Sequence, residues 1–105
     1  MPSSKAFLDL IMEKLATLGD LTGKSMFGGF GVFHRGEMFA LISNDVLYLK
    51  ADDSNREDYI TRGCNQYKPM PYFRVPDDIF EDGEELLNWS MKSVTIALAA
   101  PKKKK

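Results

Sequence analysis

Five features of this chain have residue types that could do chemistry. They are a glycine-rich run, two carboxylate clusters, one cysteine, one histidine, and aromatic residues interleaved with bases. Gly28-Gly29-Phe30-Gly31 has the composition of a phosphate loop. It lacks the Gly-Lys-Ser/Thr ending of such a loop, and no helix is predicted to open behind it. Glycines inside a strand-like run signal a bulge, a bend or close backbone approach instead. The carboxylates gather at Asp52, Asp53, Glu57 and Asp58, and again at Asp77, Asp78, Glu81, Asp82, Glu84 and Glu85. Both groups precede or open predicted helices, where negative charge complements the helix dipole, and neither has EF-hand spacing. Capping and solvation account for them without a metal.

Cys64 and His34 are each the sole residue of their kind. One thiol builds neither an internal disulfide nor a cysteine-based zinc site, so Cys64 reads as a small buried hydrophobe. His34 adjoins the Arg35-Gly36 turn and reads as a solvated strand-end residue. The serines have no other imidazole to work with, and neither a G-x-S-x-G elbow nor an H-E-x-x-H pair occurs. No catalytic residue, metal ligand or cofactor is assigned, and a non-enzymatic module is expected. The aromatic residues Phe27, Phe30, Phe33, Tyr48, Tyr67, Tyr72 and Phe73 have Lys24, Arg35, Lys50, Lys68 and Arg74 among them. A stacking platform for nucleic acid needs such interleaving. Small domains bury most of their aromatic rings, so the core takes most of these. Phe30, Tyr48, Lys50, Tyr72 and Arg74 are left as a candidate interaction surface.

These residues are carried by 105 amino acids, enough for one hydrophobic core. Residues 1–100 are read as one domain and 101–105 as a flexible, solubilising lysine tail. No apolar run approaches the roughly 20 residues that span a bilayer, and the N-terminal stretch carries Asp9, Glu13 and Lys14 among its apolar positions. A cytoplasmic protein with no membrane contact is expected. The formal net charge is −1, but four of the fourteen basic residues are Lys102 to Lys105. The remaining ten bases face fifteen acids, a body charge of −5. Such a body gives no broad footprint for DNA phosphates, so DNA contact should be indirect or weak.

Hydrophobic spacing places the elements. Leu8, Ile11, Leu15 and Leu18 recur at helical spacing, with Ser3 or Ser4 as cap and Gly19 as stop. Ser25 to His34 reads as one bent strand. Glu37 to Ser43 follows, with Phe39 and Leu41 on one face and Met38, Ala40 and Ile42 on the other, covered on both sides. Asn44-Asp45 turns the chain into Val46 to Lys50. Ser54 and Glu57 form a capping-box pair for a helix that Gly63 ends, with Tyr59 and Ile60 as its core contacts. Tyr72 to Val75 makes a further strand, and Asp77 to Phe80 a helical turn. Asp82 and Glu85 cap a last helix, Glu84 to Ala99, striped by Leu87, Met91, Val94 and Leu98 and widened by Leu86, Ser90 and Ala97. The order α-β-β-β-α-β-α predicts an α+β domain, a two-layer antiparallel sheet packed with helices.

Five segments in this order are distinctive: Met26-Phe27-Gly28-Gly29-Phe30-Gly31-Val32, Gly36-Glu37-Met38-Phe39-Ala40-Leu41-Ile42, Leu47-Tyr48-Leu49-Lys50-Ala51-Asp52, Tyr72-Phe73-Arg74-Val75-Pro76 and Leu86-Leu87-Asn88-Trp89. Together, from about Lys14 to Leu98, the chain resembles the N-terminal domain of the TfoX/Sxy family of bacterial competence regulators. The resemblance implies a type III secretion chaperone-like fold, a homodimer, and transcriptional regulation with the cyclic-AMP receptor protein as partner. It marks Met26, Phe27, Gly28, Gly29 and Gly31 as a family motif, consistent with a purely structural role, and carries over no catalytic residue. Direct nucleic-acid binding through the basic residues and the lysine tail is the alternative, and small-molecule sensing a third.

Overall fold

Ser4 starts the first helix by accepting the Phe7 amide on its Oγ at 3.2 Å. The structure, a computed structural model, describes residues 4–26, 28–68 and 70–99. Ser3, Phe27 and the lysine tail lie outside the described residues. Helix α1 spans Lys5–Lys14 and buries Leu8 and Ile11. It gives way to a 3-10 turn at Ala16–Leu18 before Gly19, whose φ of 75° ends the helical segment.

Five strands follow: β1 Leu21–Met26, β2 Gly29–His34, β3 Glu37–Ser43, β4 Val46–Lys50 and β5 Tyr72–Arg74. They form one sheet in the order β1-β2-β3-β4-β5, every neighbouring pair antiparallel. Helix α2, Arg56–Thr61, lies between β4 and β5 in sequence, and α3 Asp77–Glu81 and α4 Gly83–Ala99 close the chain. The α+β prediction therefore holds, with one strand more than expected. The run read as a single bent strand, Ser25 to His34, is the end of one strand, a turn and the whole of the next. Leu21–Met26 pairs along its length with Gly29–His34, and the chain reverses at Gly28, where φ is 74°. The other tight turns were legible: Arg35-Gly36 and Asn44-Asp45 both hold positive φ at each position, the geometry of type I′ hairpins.

A bulge does occur, but in β3. Val32 pairs with Ala40 while Phe33 pairs with Met38, which leaves Phe39 unpaired. One extra residue resets the alternation of side chains. Phe39 consequently joins Ala40 and Ile42 in the helix-side core, instead of sharing a face with Leu41 as strict alternation predicts.

All four helices cover one face of the sheet. Leu8 of α1, Tyr59 of α2, Ile79 of α3, and Leu86, Val94 and Ala97 of α4 share one core with Val32, Phe39, Ile42, Leu49 and Phe73. The buried side of α4 also contains Ser90 and Ser93. Small residues let the helix approach the sheet, and Ser93 Oγ donates to the Lys50 carbonyl at 2.8 Å. The buried stripe therefore keeps the predicted Leu86, Ser90, Val94 and Ala97 but shifts toward Ser93, so Met91 is 54% and Leu98 43% exposed. Ile60 is also exposed, at 49%, whereas Tyr59 is buried as expected. Of the two predicted capping pairs, the second forms: Asp82 Oδ1 accepts the Glu84 and Glu85 amides, each at 3.2 Å. The first does not, because Ser54 Oγ turns back to donate to Asp52 Oδ1 at 2.6 Å and α2 begins only after Asn55. Among the described residues, no helix is long and apolar enough to cross a membrane.

Candidate functional site

Among the described residues, no helix lies on the opposite face of the sheet. Cross-strand pairing assigns its members. Lys24 pairs with Gly31, Gly31 with Leu41, Leu41 with Tyr48, Tyr48 with Arg74, and Lys50 with Tyr72, so these side chains share one face. Met26 and Met38 join them. A Cβ at Gly31 would lie 2.9 Å from the sulfur of each, so both thioethers lie over this glycine. The open face is thus apolar at its centre. Leu41 is fully buried and Tyr72 only 3% exposed, without any helix to cover them. Met26, Phe33, Met38, Tyr48 and Tyr67 are half-buried.

Three cations stand among these residues. The Lys24 ammonium sits 5.3 Å from the Phe33 ring centre and that of Lys50 5.5 Å from the Tyr72 ring. Such placement is favourable because the ring face is negative. Arg74 reaches Asp77 Oδ1 at 3.3 Å. Tyr48 and Tyr67 meet edge to face, their centroids 5.2 Å apart. The Tyr72 hydroxyl donates to the Met38 carbonyl at 3.2 Å, and burial pushes its pKa up to about 12.

Four of the five predicted surface residues are therefore brought together: Tyr48, Lys50, Tyr72 and Arg74. Phe30 is separated from them. It pairs with Ile42 and packs against the helix-side core. Sequence reasoning missed Lys24, Met26, Phe33 and Met38 as members of the same surface. Lys24 belongs to a strand that was not recognised, and Met26 was known only as a motif residue. The glycines of the motif have different duties. Gly28 supplies the positive φ of the hairpin, and Gly31 leaves room for two methionines.

The remaining chemical candidates are dispersed. His34 is not simply solvated, since its Nδ1 donates to the Gly19 carbonyl at 2.8 Å and ties β2 to the end of the first helical segment. Cys64 is half-buried against the core, and burial pushes its thiol pKa up. Asp52 is exposed, and its hydrogen bonds from Ser54 hold its carboxyl below the usual range. Among the described residues, no three His, Cys, Asp or Glu side chains gather closely enough to hold a metal ion. A cleft of about 140 Å³ between α1, α3 and the β4–β5 end of the sheet is lined mostly by Phe7, Val46, Leu47, Val75 and Phe80. Its polar lining residues are Asp45, Arg74 and Asp77.

Comparison with known proteins agrees with this scaffold. The chain is 27% identical to Protein Sxy of Escherichia coli strain K12 over 94 residues, covering 82% of this chain and 45% of that protein. It is 29% identical to DNA transformation protein TfoX1 of Aliivibrio fischeri strain ES114 over 69 residues, 66% of this chain and 33% of the relative. The chain thus spans less than half the length of either relative. The family model of the TfoX N-terminal domain matches residues 13–97, which include all five distinctive segments, and the chain therefore belongs to the TfoX N-terminal domain family.

Proposed function

We propose that this chain is a non-enzymatic regulatory domain that acts in the control of DNA-uptake competence through protein–protein contacts. Family membership supports the general role, and one of the relatives is itself a DNA transformation protein. The observation that carries the contact reading is the open sheet face. A two-layer domain this small commits all its helices to one side and still builds an apolar surface on the other. Direct recognition of duplex DNA is disfavoured by a body charge of −5. The cyclic-AMP receptor protein, the partner implied by the family resemblance, is the first candidate.

Affinity capture from the native bacterial lysate, with and without nuclease, tests this. A transcription factor or polymerase subunit that remains after nuclease treatment is the expected result. Recovery of nucleic acid alone, lost on nuclease treatment, contradicts the proposal.

A further inference from the structure

We propose that the open sheet face docks an acidic, amphipathic helix of a partner protein. This rests on the reading that the domain works through protein contacts, and it specifies where and with what chemistry.

Charge sign comes first. Lys24, Lys50 and Arg74 are the charged strand side chains that this face presents, and no carboxylate shares their register positions. All fifteen carboxylates of the chain lie elsewhere, although Asp77 of α3 reaches the rim to pair with Arg74. The face is a cationic patch on an acidic body. Among the described residues, Lys24 and Lys50 have ring faces as neighbours and no carboxylate within ion-pair distance. Their N–H groups remain available to an incoming anion.

The apolar centre then limits the kind of anion. Met26 and Met38, flexible and polarisable, can adapt to apolar side chains pressed against them. A simple polyanion leaves that centre unused. Single-stranded nucleic acid needs free ring faces for stacking. Here Lys24 covers Phe33, Tyr72 is nearly inaccessible, and Tyr48 and Tyr67 meet edge to face. A second copy docked through the same face would place lysines against lysines across a two-fold axis, and like charges repel. An acidic helix with apolar anchors meets both demands. Lys24 on β1 is three strand spacings from Tyr48 on β4, and Lys50 lies two residues farther along β4, so the two lysines are roughly 16 Å apart. Carboxylates two to three helical turns apart span a similar distance, with room for apolar side chains between them.

The test is a nuclear magnetic resonance titration of the full chain carrying methyl-labelled methionine. Three probes are compared: a synthetic Leu/Glu amphipathic helix of about 14 residues, its Leu/Lys counterpart, and an oligothymidylate. Saturable shifts of the Met26 and Met38 methyls with the Leu/Glu helix alone are expected. The double variant Lys24→Glu/Lys50→Glu should weaken that binding roughly tenfold or more, while the Met12 and Met91 methyls report an intact fold. The proposal is overturned by any of four results: no shift with the Leu/Glu helix, equal binding of the Leu/Lys helix, stronger binding of the oligothymidylate, or shifts at Met26 and Met38 that track the concentration of the protein alone. The last would assign the face to a second copy. If lysate capture yields a protein partner that this double variant still binds, the contact reading stands and the docking face falls.

Discussion

The two faces of the sheet solve the same problem differently. Both carry large apolar residues, and both bury some of them completely, Phe39 and Ile42 on one side and Leu41 on the other. The helical face does so by layering α1, α2 and α4 over the strands, where interdigitating side chains exclude water. The open face does so with its own long side chains, as Met26 and Met38 bend over Gly31 and cations settle on aromatic rings. The first arrangement is a core. The second is a surface that has shielded itself.

This contrast can be broken by truncation. Phe39→Ala removes a fully buried ring from the helix-side core and should cost about 3–5 kcal/mol. Leu41→Ala, equally buried on the open side, should cost nearer 2 kcal/mol, because flexible methionines can collapse into the space. Chemical denaturation of both variants measures the difference. Equal losses would mean that the open face is packed as rigidly as the core.

Glycine substitution sharpens the comparison at a finer level. Gly31→Ala puts a methyl within 2.9 Å of two sulfurs, but both belong to flexible side chains that can swing aside, so the cost should stay at about 1 kcal/mol. Gly28→Ala meets no atom within 4 Å but must hold a φ of 74°, at about 1 kcal/mol. The Gly31 variant should also move the Met26 and Met38 methyl signals, while the Gly28 variant should leave the Met38 methyl in place.

The two buried tyrosines predict effects of opposite sign. Tyr72 on the open face donates its hydroxyl proton to the Met38 carbonyl, so Tyr72→Phe should destabilise by about 1 kcal/mol. Tyr59 on the helical face buries its hydroxyl near that of Ser93 without a well-formed hydrogen bond, since Ser93 gives its proton to the Lys50 carbonyl, and burial pushes the Tyr59 pKa up. Tyr59→Phe should therefore be neutral or stabilise by up to about 1 kcal/mol. Thermal unfolding of both variants checks the signs.

How much of this was legible in the sequence follows from the same contrast. The helices, the two tight turns and three of the five strands have patterns that local physics dictates, such as apolar spacing and positive-φ dipeptides. Leu21–Met26 has no such pattern. Its core-facing positions include Gly23, into whose space Leu8 packs, and Ser25, so the apolar alternation of a strand is absent. Phe39 shows the second limit. A bulge is set by pairing with the neighbouring strand, and strict alternation along β3 cannot reveal it. The candidate surface inherited the first of these errors, since Lys24 was left out because its strand was not seen. Phe30 was grouped with residues of the opposite face because its pairing with Ile42 cannot be read from β2 alone. The α4 stripe was legible in part: Leu86, Ser90, Val94 and Ala97 are buried as expected, but Ser93 is also buried by close helix–sheet approach, which polarity alone argues against, and Met91 and Leu98 are exposed.

The central claim is that the open face does the work and the helical face holds the fold. It is tested most directly by repeating nuclease-treated capture from native lysate with three baits: the unaltered chain, Lys24→Glu/Lys50→Glu on the open face, and Ile60→Glu at an exposed position of α2. The account predicts that the partner is lost with the double variant and retained with Ile60→Glu. Retention by the double variant, or loss with Ile60→Glu, would contradict it.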